Sequence, residues 1–349
     1  MKIAIITVYN SSNFGSVLQA RALYTLLKSE DHDVFFFDTG ARSTWNGIIK
    51  PAVLSIAKSV LTLQIRKLKF QIKLIVSFMK NILSIKIKKK YFYLRQCDAI
   101  IFGSDEIWNV TRTEMQRFPV LFGGGIKCVK KISYAVSVNN ATQKELSAFG
   151  LQEYLKDFTA LSVRDTWSQK QVETLTNKKV ERVVDPTFLF TINQNKNSYF
   201  RSRYKSYIAL YYFNPDHEFI ELMQHVSTIS GKRLLSIGIW YDWCDVSVVA
   251  ENPFIYYLKA DCVITNTFHG TAFAINLERP FMCFVKGKKK IIELLNQFGL
   301  QECIADGLNA EKLVEAINRQ NIDWQSVHKD LDEQRKKSLE YIHKSLGER

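Results

Sequence analysis

The residues best suited to chemistry stand where short β-branched runs give way to polar loops. From Thr265 to Ala274 the chain reads TNTFHGTAFA, with a strand expected to end at Thr265 and a helix to start around Thr271. His269 and Gly270 would then lie at a helix N-terminus, with Thr267 and Thr271 on either side. Amide groups and the positive end of the helix dipole favour phosphate or carboxylate there. A histidine at that point can donate a proton near neutral pH. Lys286, Lys288, Lys289 and Lys290 follow the next strand and read either as added positive charge or as a solvated loop.

Three other strand ends have suitable composition. GSDEIWN, Gly103 to Asn109, would project Ser104 and Asp105 from the carboxyl end of a buried strand, to contact a sugar or orient a base. Trp108 reads either as a ring stacked on a sugar or as core. NSSNFGS, Asn10 to Ser16, offers Asn13 at a helix start and Gly15 for a tight turn, an anion-binding composition that a plain connection would share. Arg164 and Asp165 form either a mutual salt bridge or a ligand contact, and Asp185-Pro186 reads as a strand stop and hinge.

The elements that must position these residues alternate in type. Runs at 3–8, 34–38, 99–102, 132–138, 161–163 and 183–184 read as strands, with a helix expected from about Ser16 to Lys28. After a junction at Asp185-Pro186 and the polar stretch Asn193 to Ser198, a second series follows at 207–212, 234–239, 262–265 and 281–285. Alternation at this spacing implies an α/β protein with parallel sheets covered by helices on both faces, and ligands at the strands' carboxyl ends. The expected divisions are a Rossmann-like domain over 1–190, including a basic segment at 39–97, and a second over 191–320. A C-terminal helix within 321–349, from Trp324 to Leu346, would pack back across both.

A chain of 349 residues is long enough for two domains, and 46% hydrophobic with 23% charged residues excludes a disordered, collagenous or coiled-coil protein. The net charge of +14 is local. Residues 39–97 hold thirteen Lys and Arg and no acid; removing those thirteen from the 48 basic residues leaves 35 against 34 acidic ones. Read as one long helix from Pro51, the segment aligns Lys58, Arg66, Lys69, Lys73 and Lys80 on one arc and places Leu, Ile and Phe elsewhere. That pattern fits an anionic membrane surface, or a helix packed on its own domain with a solvated basic face. Nucleic acid is not expected, because the interleaving is aliphatic and no recognition motif is present. Six scattered cysteines without CxxC pairs read as buried free thiols, with no metal site. With no secretory leader or membrane-spanning run, the expected location is cytoplasmic, peripheral at the inner face of the membrane.

The order and spacing of NFGSVLQ from Asn13, GSDEIWN from Gly103, SYAVS from Ser133, SVRD from Ser162, VDPT from Val184 and TFHGTAF from Thr267 resemble the polysaccharide pyruvyl transferase family over nearly the whole chain. The resemblance implies a GT-B-like pair of Rossmann-type domains, phosphoenolpyruvate as donor substrate and no cofactor. The acceptor would be a pair of sugar hydroxyls on a cell-surface glycan, carried on a polyprenyl diphosphate. His269 is then the expected acid and Asp105 the base. Arg164, Thr267, Gly270, Thr271 and Lys286 would bind the donor, and Asn13, Gly15, Ser104 and Trp108 the acceptor. The family pattern carries Gln where this chain has Glu106. The branch most closely tied to pyruvyl transfer has arginine two residues before the histidine, where this chain has Thr267. The same architecture serves nucleotide-sugar glycosyltransferases and noncatalytic members of synthesis complexes, which are the alternative readings.

Overall fold

Two parallel sheets organise the chain. The computed structural model describes all residues except 12, 41–49, 128, 191–203, 250–253 and 348–349. The first sheet contains β1 (Lys2–Ile6), β2 (Asp33–Phe37), β3 (Ile87–Lys88), β4 (Ala99–Phe102), β5 (Lys130–Ser133) and β6 (Phe158–Ala160), in the order β3-β2-β1-β4-β5-β6. A two-stranded parallel pair follows, β7 (Ser162–Val163) and β8 (Glu181–Arg182). The second sheet contains β9 (Tyr207–Tyr211), β10 (Arg233–Ile237), β11 (Val246–Val248), β12 (Cys262–Thr265) and β13 (Phe281–Cys283), ordered β11-β10-β9-β12-β13. Counted within each sheet, the first follows the order 3-2-1-4-5-6 and the second 3-2-1-4-5. Each therefore has a switch point where its first and fourth strands part in opposite directions, β1/β4 and β9/β12, and such points are where doubly wound sheets bind ligands.

The central strands are apolar throughout because parallel sheets are covered on both faces. AIIF of β4 and CVIT of β12 are buried at every position. β3, β6 and β11 are absent from the sequence reading; at two or three residues each they are too short to show a period. Helix Phe14–Ser29 begins two residues earlier than the periodicity suggests, because the Asn13 side chain caps it by accepting from the Gly15 amide at 2.9 Å. Gly15 thus lies in the first helical turn and not in a loop.

Two compact units divide the chain: Met1–Pro51, Asn81–Phe190 and Leu331–Arg349 form one, and Ala52–Lys80 with Thr191–Asp330 the other. The middle of the basic segment therefore belongs with the second unit. The final helix, Trp324–Leu346, enters the first unit at Leu331. There Ser338 Oγ accepts from the Val184 amide at 3.0 Å and Tyr341 donates to the Ser133 carbonyl at 2.8 Å. The expected junction at Asn193 to Ser198 lies outside the described residues, as do Arg42 and Cys128.

The basic segment is not one helix. Helices Lys50–Leu61 and Ile65–Leu83 are separated by a turn at which Leu63 takes a left-handed φ of 54°. The break interrupts the helical phase, so Lys58 stands on one helix while Arg66, Lys69, Lys73 and Lys80 share the other. No helix among the described residues is long and apolar enough to cross a membrane.

Candidate functional site

At the first switch point a buried polar network joins the ends of β1 and β4. Thr7 Oγ1 donates to the Ser104 carbonyl at 2.9 Å, Ser104 Oγ donates to Gln19 Oε1 at 2.7 Å, and Gln19 Nε2 donates to the Ser16 carbonyl at 2.8 Å. Ser104 and Gln19 are wholly buried. Gly103 permits the close approach: at φ 113° a Cβ there would meet the Tyr134 carbonyl and Val136 Cγ2. Trp108 is also fully buried, with its ring edge-on to Phe158 at 5.6 Å. Ser104 and Trp108, expected from the sequence to face a sugar, are both covered by the fold. A tryptophan after a strand packs inward here because β4 is covered by core.

Arg164 lies against this network. Its Nη1 is 2.8 Å from Asp185 Oδ2 and its Nη2 is 3.6 Å from Asp105 Oδ1, with its side chain 2% exposed. Burial opposes its charge, but Asp185 and then Asp105 outweigh that penalty, so its pKa is raised. Asp165 is not its salt-bridge partner: its carboxylate accepts from the Ser168 amide at 2.7 Å and caps helix Thr166–Thr176. Arg164, expected from the sequence to bind a donor, is engaged by two carboxylates. Asp185, read from sequence as a strand stop, also accepts from Thr187 N and Oγ1 and so organises the network. Asp105 is the more open member, with its side chain 13% exposed.

At the second switch point, Thr265 at the end of β12 donates to the Tyr211 carbonyl at the end of β9, at 2.7 Å. Asn266 closes the same seam, donating to the Phe213 carbonyl and accepting from the Phe213 amide. Thr267 then caps helix Phe268–Asn276 by accepting from the Gly270 amide at 2.9 Å. His269 sits in the first helical turn, buried, its ring stacked on Phe273 at 6.2 Å.

This turn differs from the expected anion cradle. Besides the Gly270 amide held by the Thr267 hydroxyl, the Thr271 amide donates to the Thr267 carbonyl. The Thr271 hydroxyl lies inside, 3.1 Å from Cys283 Sγ. Thr267, Gly270 and Thr271 therefore build the turn that holds His269. A Cβ on Gly270 would meet Thr265 Oγ1 and, at 2.7 Å, Thr267 Oγ1. Gly270→Ala is expected to cost about 1–3 kcal/mol in urea unfolding by overpacking this seam; an unchanged midpoint would show that the turn yields freely.

The lysine nearest this turn is Lys288. Its Nζ donates to the Asn266 carbonyl at 2.7 Å, and its pKa is lowered by burial, then by Lys290 and Lys286. Lys286, the loop lysine expected to bind a donor, is instead exposed and paired with Asp216 at 2.5 Å. Four of the described cysteines are buried and Cys244 is half-buried, all as free thiols. Burial raises each thiol, Cys97 to about 11 and Cys283 to about 12, which suits packing and not nucleophilic chemistry.

A family model described as polysaccharide pyruvyl transferase matches residues 13–285, a span containing β4 and the whole second switch point but starting after β1. Among curated proteins, none matches the sequence. The solved structures it resembles include UDP-GlcNAc 2-epimerase from Methanocaldococcus jannaschii in complex with UDP-GlcNAc and UDP, at 14% identity and TM-score 0.51, covering 95% of this chain and 99% of that one. The UDP-GlcNAc 2-epimerase from Neisseria meningitidis bound to UDP-GlcNAc is similar at 11% identity and TM-score 0.53, covering 99% and 100%. At these identities the likeness extends to the fold, a two-domain, GT-B-like α/β architecture.

Proposed function

The chain belongs to the polysaccharide pyruvyl transferase family, and from that membership we propose that it moves the enolpyruvyl carbons of phosphoenolpyruvate onto two hydroxyls of a sugar as a ketal, in surface-polysaccharide synthesis. The supporting observation is His269 at a helix start on the second switch point, inside the matched span. In this reaction the enol methylene takes a proton and the central carbon becomes an oxocarbenium centre. Two sugar oxygens bond to that carbon, and phosphate leaves with the bridging oxygen. Of the two hydroxyl protons released, one balances the methyl group and the other leaves on phosphate.

Within this reading His269 protonates the methylene. Lys288 replaces Lys286 as the principal cation for the donor's phosphate or carboxylate, aided by the helix dipole. Asp105 is our proposed base toward the acceptor hydroxyl. The acceptor itself we take to be an oligosaccharide on a polyprenyl diphosphate.

The test incubates the purified chain with phosphoenolpyruvate and lipid-linked oligosaccharide from cells lacking the protein. Phosphate release should match a product heavier by one pyruvic acid less one water. Release of a nucleoside diphosphate from a nucleotide sugar instead, with no reaction of phosphoenolpyruvate, would replace this reading with glycosyl transfer.

A further inference from the structure

Ten of the fourteen large apolar side chains that are exposed among the described residues fall within helices Lys50–Leu61 and Ile65–Leu83 and the turn between them. The other four, Met1, Tyr91, Phe92 and Ile229, are scattered. Leu61 and Leu63 are each 84% exposed and Ile65 is 62% exposed, so the turn itself is the most open apolar point. A concentration of this kind marks a surface built for contact.

The second helix is arranged around that exposure. At about 100° per residue, Ile65, Ile72, Val76, Met79 and Leu83 occupy one exposed arc of about 60°, and Arg66, Lys69, Lys73 and Lys80 the neighbouring arc of about 60°. The buried contacts lie on another side: Phe70 and Phe78 are covered, and the Phe70 ring meets Trp240 edge-on at 5.5 Å. Packing on the fold therefore accounts for Phe70 and Phe78 but not for the exposed apolar row. The first helix repeats the pattern, with Val53, Leu54 and Val60 exposed and Lys58 beside them.

We infer that these two helices and their turn form a docking surface for an anionic lipid bilayer, with Leu61, Leu63 and Ile65 entering the acyl boundary and the lysine–arginine row lying against the headgroups. Charge selects this occupant. Residues 39–97 contain thirteen basic residues and no acid. A second copy meeting the same face by two-fold symmetry would bring each basic row near its own image, without a carboxylate from this segment to relieve it. Bilayers supply both partners, hydrocarbon for the aliphatic row and anionic headgroups for the cations. Because neither helix is long and apolar enough to span, binding would be interfacial and reversible.

This docking surface is independent of the chemistry at His269, and so is its test. Full-length protein is floated with vesicles of phosphatidylglycerol and phosphatidylcholine in equal parts, and with phosphatidylcholine alone. Two variants accompany it: Leu61→Ser/Leu63→Ser/Ile65→Ser, and Arg66→Gln/Lys69→Gln/Lys73→Gln. All six substituted positions are at the surface, so thermal unfolding should not change. Wild type should float with the anionic vesicles, at least about tenfold more than with neutral ones, and each variant should lose about tenfold or more of that binding. Binding by the serine variant equal to wild type, or no wild-type binding, overturns the proposal. So does a wild-type dimer in light scattering that the serine variant converts to monomer without any vesicle binding.

Discussion

His269→Ala is expected to lower turnover with phosphoenolpyruvate by about 100- to 10,000-fold, the range lost when a positioned general acid is removed. The seam beneath His269 is built from Thr265, Thr267 and Gly270, none of which depends on the imidazole, so the turn should survive the substitution. The ring does stack on Phe273, and its removal leaves a small cavity. His269→Gln, which fills more of that space but cannot act as a comparable acid, separates packing from proton transfer. Both variants should lose kcat with little change in the KM for phosphoenolpyruvate if His269 acts mainly in the transition state. Full activity in either would remove His269 from the mechanism.

Asp185→Ala should destabilise the first unit by about 3–5 kcal/mol, the usual cost of leaving one buried charge without its partner. The Arg164 side chain is 2% exposed, and the carboxylate that remains, Asp105, is at 3.6 Å against 2.8 Å for Asp185. Asp185 also caps the turn Pro186–Phe188 through the Thr187 amide. Asp185→Asn keeps an oxygen for that cap, which by itself is worth about 1 kcal/mol, while removing the charge. In urea unfolding, Asn should therefore recover only a minor part of the loss. A loss below about 1 kcal/mol in Asp185→Ala would mean that water reaches the guanidinium and the pair is not a buried one.

These two predictions rest on differently legible parts of the chain. The His269 turn could be found from sequence because its signal is local: a β-branched run ending at Thr265 and directly after it the polar stretch with His269 and Gly270, although the helix begins at Phe268 and not near Thr271 because Thr267 caps it. The Arg164–Asp185 pair could not, since its partners are 21 residues apart and adjacent Asp165 offers the same chemistry. Only the parallel pairing of β7 with β8 brings the Asp185 side of the chain alongside Arg164. Lys288 likewise shares its loop and residue type with Lys286. What separates them is that one reaches the Asn266 carbonyl and the other Asp216.

The α/β alternation, the two series of strands, the histidine turn and the confinement of charge to 39–97 were all legible in the amino-acid order, because periodicity and composition act over a few residues. Tertiary structure decided burial and partnership. It sent Ser104 and Trp108 inward, turned Gly270 and Thr271 to building the turn, and left apolar rows exposed on helices whose pattern fitted a membrane surface and packing on the fold alike. A helical pattern shows which side chains share a face but not what covers that face. Coverage depends on segments distant in the chain, and these supply Trp240 opposite Phe70 while leaving Leu61, Leu63 and Ile65 open.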